Sequence, residues 1–314
     1  MTQMTKALNT IGKLLKTLAL IIVGFLVLIT IVIAIVFPLL NETNGEIVSS
    51  GERRNYLLYV PETYDPSTPT PLIIALHGFA EWPAHLMEMS HWNELADEYG
   101  FIVVYPAGTG FPLGWRASAL NLSDDVPMKD VTFIADLIDE LMDGYNIDDT
   151  RIYANGMSNG GGMAYLLACK LSDRITAIGG VAGAYNFPPN ECHPTRSVPM
   201  IVFHGSDDQI VPYTGGESSH VYLLPDVLDW VKAWAIRNEC DDHQIELPAK
   251  GDASGIKFTN CDQNADVILY TISGGGHSWP GGGSIPQIIV GLTTQDIDAT
   301  EVMWDFFRGI ALDH

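Results

Sequence analysis

The stretch Gly156-Met157-Ser158-Asn159-Gly160 constrains this chain more than any other. It stands between a short apolar run, Ile152-Tyr153-Ala154, and an apolar stretch of helical character. A serine so placed sits at the tip of a tight strand-to-helix turn, with its hydroxyl exposed above the sheet. Glycines two residues either side have a steric reason. The strained turn brings the backbones so close that a Cβ would clash. The same turn puts the Asn159 amide at a helix N-terminus, where partial positive charge can meet an oxyanion.

A nucleophilic serine needs a base, and the base needs an orienting carboxylate. Both should follow apolar strands, in the order serine, acid, histidine. The acid is expected in His204-Gly205-Ser206-Asp207-Asp208, directly after the run ending at Phe203, where Asp207 and Asp208 compete. The base is expected in Gly274-Gly275-Gly276-His277, just after Val267–Thr271. Three glycines let that loop fold tightly enough to bring an imidazole over the sheet edge. His85, His91, His193, His220, His243 and His314 do not follow a strand in the right order, and His204 is expected beneath the acid loop. An oxyanion needs two backbone donors. Asn159 supplies one, and Phe79, in the loop His77-Gly78-Phe79 after an earlier strand, is the candidate for the other, with His77 holding that loop.

The rest of the chain alternates apolar runs with amphipathic stretches. Strands are expected at Tyr56–Val60, Leu72–Leu76, Phe101–Tyr105, Ile175–Val181, Met200–Phe203 and Val267–Thr271. Ile134, Leu137, Ile138 and Leu141 share one face of a helix that begins near Lys129. Val227, Trp230, Val231 and Trp234 share a face of another after Pro225, and Asp296–Phe307 closes the chain as a third. The pattern predicts an α/β fold, a mostly parallel central sheet with helices on both faces. With 314 residues, 47% of them hydrophobic, there is chain enough for one large core.

The first forty residues stand apart. Leu18 to Leu40 carries no charge and, as a helix, rises roughly 35 Å, enough to cross a ~30 Å hydrocarbon layer. Lys6, Lys13 and Lys16 precede it, and Glu42 is the first acid, so the N-terminus is expected to stay cytoplasmic and the remainder to lie outside. Residues 1–40 are thus expected as a transmembrane signal-anchor, 41–50 as a linker and 51–314 as the catalytic domain. Cleavage, which would release a secreted enzyme, is disfavoured by the length of the apolar region and the lack of a small-x-small site. All 38 acids lie beyond residue 40, against a chain total of 16 Lys and Arg. So acidic a surface repels nucleic acid and anionic lipid headgroups. Cys169, Cys192, Cys240 and Cys261 permit two disulfides in three connectivities, and sequence order suggests Cys169–Cys192 and Cys240–Cys261. Neither pair has metal-ligand spacing.

Several segments together make the family legible: Leu76-His77-Gly78, Gly114-Trp115-Arg116, Asp130-Val131-Thr132-Phe133, and Arg151 through Gly161 with Cys169. To these are added His204-Gly205 with Asp208 and Val211-Pro212-Tyr213, Gly275-Gly276-His277 with Trp279-Pro280-Gly281-Gly282, and the closing Ile297–Thr300 and Trp304–Phe307. The chain resembles, over roughly residues 46–311, the exported esterases that include polyhydroxybutyrate depolymerases and feruloyl esterases, within the α/β-hydrolase fold. The resemblance implies Ser158 as nucleophile, Asp208 rather than Asp207 as acid and His277 as base, and it supports Phe79 and Asn159 as oxyanion donors. The chain departs from the family at Ala117-Ser118-Ala119-Leu120, where relatives often carry a cysteine, so the acyl-side pocket is expected to differ.

The expected activity is hydrolysis of an ester outside the cytoplasm through a Ser-His-Asp relay and an acyl-enzyme, with no metal or organic cofactor. Hydroxycinnamoyl-polysaccharide, polyhydroxyalkanoate and short-chain acyl esters are the candidate substrates. Trp115, Tyr213 and Trp279 are candidate aromatic walls of the site, and Trp82 a candidate lid residue. A serine peptidase of the same fold and a non-catalytic tethered binding protein are the rival functions. The expected partners are therefore the ester and, through the N-terminal helix, the membrane.

Overall fold

The computed structural model describes residues 2–40, 42–117, 125–186, 192–217, 223–283 and 286–313. Ser118, Ala119 and Leu120 of the family departure, together with His220 and His314, lie outside the described residues. The chain divides into two units between Glu42 and Thr43. The first is a single helix, α1 (Thr2–Leu40). Its Ile11–Ile31 stretch has a mean hydropathy of 2.7 and leaves side chains such as Leu20 and Phe25 exposed. At 1.5 Å per residue that stretch alone runs about 31 Å, long and apolar enough to cross a membrane.

The second unit opens with β1 (Gly45–Ser49), β2 (Glu52–Tyr59) and β3 (Thr70–Leu76), followed by α2 (Pro83–Ser90), α3 (Trp92–Tyr99) and β4 (Ile102–Pro106). Then come α4 (Asp125–Gly144), β5 (Ile147–Met157), α5 (Asn159–Lys170), β6 (Ala177–Val181) and β7 (Met200–Gly205). A two-residue pair, β8 (Gly216–Glu217) and β9 (Leu223–Leu224), precedes α6 (Val227–Arg237). The chain ends with β10 (Gln244–Lys250), β11 (Ala253–Phe258), β12 (Val267–Ile272), α7 (Gln287–Val290) and α8 (Ala299–Phe307).

Ten strands form one sheet in the order β1-β2-β4-β3-β5-β6-β7-β12-β11-β10. The six from β4 to β12 run parallel, and the two strands at each end are antiparallel. The parallel strands read as unbroken apolar runs because both faces are covered; every residue of β3 is buried. Leu72, Ile74 and Leu76 face the layer of α4, α5 and α6, where Phe133, Leu166 and Trp234 pack. Ile73 and Ala75 face the other layer, where Leu86 of α2, Trp92 of α3 and Met303 and Phe307 of α8 pack. The parallel register brings Leu76 beside Gly156, Val181 beside Phe203 and Ile272 beside Gly205. The loops after β3, β5, β7 and β12 therefore emerge along one edge, where α/β sheets place their reacting groups.

Three parts of this architecture differ from expectation. Residues 45–49, expected within a linker, are the edge strand β1, pairing Ile47 with Arg54. The hairpin of β10 and β11 was not expected: the alternation Gln244-Ile245-Glu246-Leu247 is short and cut by Pro248, and β10 is exposed along nearly its whole length. Trp82, expected in the loop after Phe79, stands instead at the N-cap of α2, with its ring 5.3 Å from that of His85. Both disulfides, Cys169–Cys192 and Cys240–Cys261, are formed as sequence order suggests. The first ties α5, the helix after Ser158, to the segment before β7, and the second ties the end of α6 to the end of β11.

Candidate active site

β5 delivers Ser158 in a conformation that L-residues rarely adopt, φ 54° and ψ −118°. Three backbone bonds hold it there. Ser158 N–H donates to Val181 O at 2.9 Å, and Ser158 O accepts from Gly162 N–H at 3.1 Å and Ala184 N–H at 2.9 Å. A Cβ on Gly156 would stand 2.5 Å from Gly160 C and 2.7 Å from Leu76 O, and one on Gly160 would strike Leu76 O. Glycine at these two positions lets the strained turn sit flush on β3.

The loop after β3 is organised by His77, which is fully buried. Its Nε2 accepts from Gly108 N–H at 2.9 Å while its Nδ1 faces Gly78 O at 2.7 Å, a pattern that fixes the neutral tautomer with the proton on Nδ1. Burial pushes its pKa down to about 4, against the opposing pull of the Gly78 carbonyl. His77 O in turn accepts from the Trp115 indole at 2.9 Å. The Asn159 side chain clamps the same residue from the other side. Its Oδ1 accepts from Trp115 N–H at 2.6 Å and its Nδ2 donates to Trp115 O at 3.2 Å. The amide side chain of Asn159 thus has a structural role separate from its backbone N–H, a role that the sequence pattern does not signal.

Of the two competing acids, Asp207 is exposed and Asp208 is buried. Asp208 Oδ1 accepts from the amides of Ile210 and Val211, each at 2.8 Å. Its Oδ2 lies 2.7 Å from His277 Nδ1 and 3.4 Å from His204 Nε2. Burial alone would raise the carboxyl, but the hydrogen bonds and charge of His204 and His277 hold it well below the usual carboxylate range. His204 donates from Nε2 to Val211 O at 2.8 Å, beneath the acid loop as its position predicts.

One cavity of about 710 Å³ is lined by both Ser158 and His277. Phe79, Asn159 and Trp115 border it, and apolar walls come from Pro112, Ile210, Val211, Leu224 and Ile289. Phe79 and Ile289 are at least half exposed, as are Phe111 and Leu223 beside lining residues. The structure corrects two of the expected aromatic walls. Trp279 is buried in the core on the α8 face, because its indole N–H finds Thr300 Oγ1 at 2.9 Å and its apolar body packs beneath. Tyr213 bonds Thr271 Oγ1 at 2.8 Å and packs edge-on against His204 without lining the cavity.

The same chain carries a recognisable family pattern. Residues 54–215 match the family described as Esterase PHB depolymerase. NocK of Nocardia uniformis subsp. tsuyamanensis, named as an esterase, is 30% identical over 294 residues, which span 86% of this chain and 83% of the relative. Feruloyl esterase C of Emericella nidulans is 26% identical over 75% of this chain and 79% of its own length. Two fungal relatives are longer: the chain spans 31% of a bifunctional acetylxylan esterase/xylanase from Neocallimastix patriciarum and 42% of feruloyl esterase B from Piromyces equi. The acetyl xylan esterase structure from Aspergillus awamori superposes with a TM-score of 0.59 at 16% identity, covering 74% of this chain and 93% of that one, and shares the α/β-hydrolase fold. By the match across its sheet and nucleophile turn, the chain belongs to the PHB-depolymerase family of esterases and is a carboxylic-ester hydrolase.

Proposed function

We propose that Ser158, His277 and Asp208 form the proton relay of a serine esterase acting on esters outside the cytoplasm. The observation that carries this is the 2.7 Å contact of His277 Nδ1 with a buried Asp208, on an imidazole that shares one cavity with the strained Ser158. With Nδ1 committed to Asp208, His277 Nε2 is the atom left to take the Ser158 proton. Ser158 Oγ then attacks the ester carbonyl, and the oxyanion is held by the N–H groups of Phe79 and Asn159. The imidazolium returns its proton to the departing alcohol. Water repeats the sequence on the acyl-enzyme, His277 again serving as base.

The apolar walls and the exposed apolar side chains at the rim favour an ester with a hydrophobic acyl or alcohol arm. A hydroxycinnamoyl ester, a polyhydroxyalkanoate and a short-chain acyl ester all meet that description. The length of the apolar stretch in α1 and the lysines before it support an anchored enzyme with residues 43–314 outside, and two disulfides suit an oxidising compartment.

The test is turnover of p-nitrophenyl butyrate and labelling by a fluorophosphonate, using the full chain in detergent. Wild type should turn over the ester and take the label, and Ser158→Ala should lose both. Equal ester rates in the two would mean a protein that binds without this chemistry.

A further inference from the structure

Among the cavity-lining residues is a carboxylate that the relay does not use. Glu81 lies in the loop that carries the proposed oxyanion donor Phe79. Its Oε2 accepts from Gly78 N–H at 2.8 Å. A Cβ on Gly78 would sit 2.9 Å from that oxygen and 3.5 Å from Ser158 Cβ, so carboxylate and nucleophile flank the same glycine. Oε1 lies 3.6 Å from His85 Nδ1, within ion-pair distance. The arginine that lines the cavity, Arg116, directs its guanidinium elsewhere. It donates to Glu52 at 2.9 Å, lies 3.7 Å from Asp130, and with Lys129 holds Glu52 ionised with a pKa of about 2.

A negative charge beside a developing oxyanion works against ester hydrolysis rather than for it. A backbone N–H such as that of Gly78 would be satisfied equally by a neutral acceptor. What a carboxylate adds at this place is a field in the cavity. A charged group on the substrate passing Gly78 is desolvated there and feels that field at short range.

We propose that Glu81 gives the cavity a charge preference: it favours esters whose arm beside Gly78 is cationic or neutral and rejects those carrying a carboxylate there. This rests on the assignment of Ser158 as nucleophile. The acidic exterior points the same way at long range, but that contribution is screened beyond roughly 10 Å in ~0.1 M salt, whereas a contact inside the cavity is not.

The experiment compares wild type with Glu81→Gln, which keeps an acceptor oxygen for Gly78 N–H while removing the charge. Two matched pairs place charge on either arm of the ester. On the alcohol arm, butyrylcholine is set against its uncharged isostere 3,3-dimethylbutyl butyrate. On the acyl arm, p-nitrophenyl hemisuccinate is set against p-nitrophenyl butyrate. Each ratio of charged to neutral kcat/KM is measured with the full chain at about pH 8, above the ordinary histidine range, and again in ~0.5 M salt, where the Debye length falls to roughly 4–5 Å. In at least one pair the substitution should move the ratio against the cation or toward the anion by about tenfold, and the shift should survive the added salt. If Glu81 only anchors Gly78, all four esters change by one common factor and the ratios stay put, which overturns the inference. A shift that vanishes in salt also overturns it, by assigning the selectivity to the exterior. Neutral esters that turn over equally in wild type and Ser158→Ala would instead bring down the nucleophile assignment.

Discussion

His77 and Asp208, both buried behind the site, are kept in opposite charge states. Behind Ser158, His77 is neutral, with both ring nitrogens spent on backbone partners at Gly108 and Gly78. Behind His277, Asp208 is ionised, with two amides on one oxygen and two imidazoles facing the other. The difference follows from what each half has to do. The serine side positions amides and needs a rigid, uncharged support. In the proposed relay the acid side has to stabilise an imidazolium that forms during reaction, and only a stored negative charge does that.

The sharpest way to break the comparison is to take the stored charge away. Asp208→Asn keeps the size of the side chain but offers His277 no anion, and its amide can turn an N–H toward the ring and fix the wrong tautomer. Ester turnover should fall on the order of 10⁴-fold, with fluorophosphonate labelling slowed in parallel. A loss below about tenfold would remove Asp208 from the relay.

The next effect is on stability in acid, where the two residues should act in different windows. His77 has its pKa depressed from 6.5 to about 4, so the unfolded chain takes up its proton first as pH falls. Stability from this residue is intact above pH 6.5 and is lost between 6.5 and about 4, by about 3 kcal/mol at most. Asp208 is also depressed, from an ordinary 3.8, so its contribution is intact above that value and lost only below it. Melting temperature measured against pH should therefore fall in two stages. His77→Asn should be less stable throughout and lack the first stage, while Asp208→Asn should keep the first and show a smaller second, the remainder coming from other depressed carboxylates such as Glu52. A single stage common to both variants would merge what the structure separates.

The halves also differ in how far the sequence reveals them. Ser158 is announced by its own neighbours, since the glycines either side report a backbone approach that is purely local. Asp208 and His277 are found by order along the chain, each following an apolar strand, and the choice of Asp208 over Asp207 needed the family likeness. Burial and bonding separate those two acids in the structure, and neither is written in adjacent residues. The same limit hid β1, whose pairing partner lies across a turn, and the β10–β11 hairpin, whose first strand has a short alternation cut by Pro248. Trp279 and Tyr213 were misplaced for a related reason: an aromatic near a catalytic loop can face the cavity or the core, and the deciding partners, Thr300 and Thr271, belong to other elements. Glu81 had no motif to mark it at all.

The smallest effect expected comes from the Asn159 side chain, and it tests whether the serine side can be loosened without touching its chemistry. Asn159→Ala removes both bonds to Trp115 but leaves the backbone N–H of residue 159 at the start of α5. Trp115 keeps its indole bond to His77 O and the neighbouring Arg116 N–H keeps its 2.7 Å bond to Asp130, so the loop should relax rather than detach. A cost of about 1–2 kcal/mol in denaturant unfolding is expected for two such bonds, one left partly replaceable by water. In kinetics the cavity wall should become less well formed while the oxyanion donors stay in place, so KM for p-nitrophenyl butyrate should rise several-fold and kcat should change less. Side chains on the acid side allow no such separation, because Asp208, His204 and His277 all share one proton-bearing cluster. If Asn159→Ala instead lowers kcat with KM unchanged, the clamp on Trp115 is holding the oxyanion donors themselves, and the serine side is less purely a main-chain scaffold than its hydrogen bonds imply.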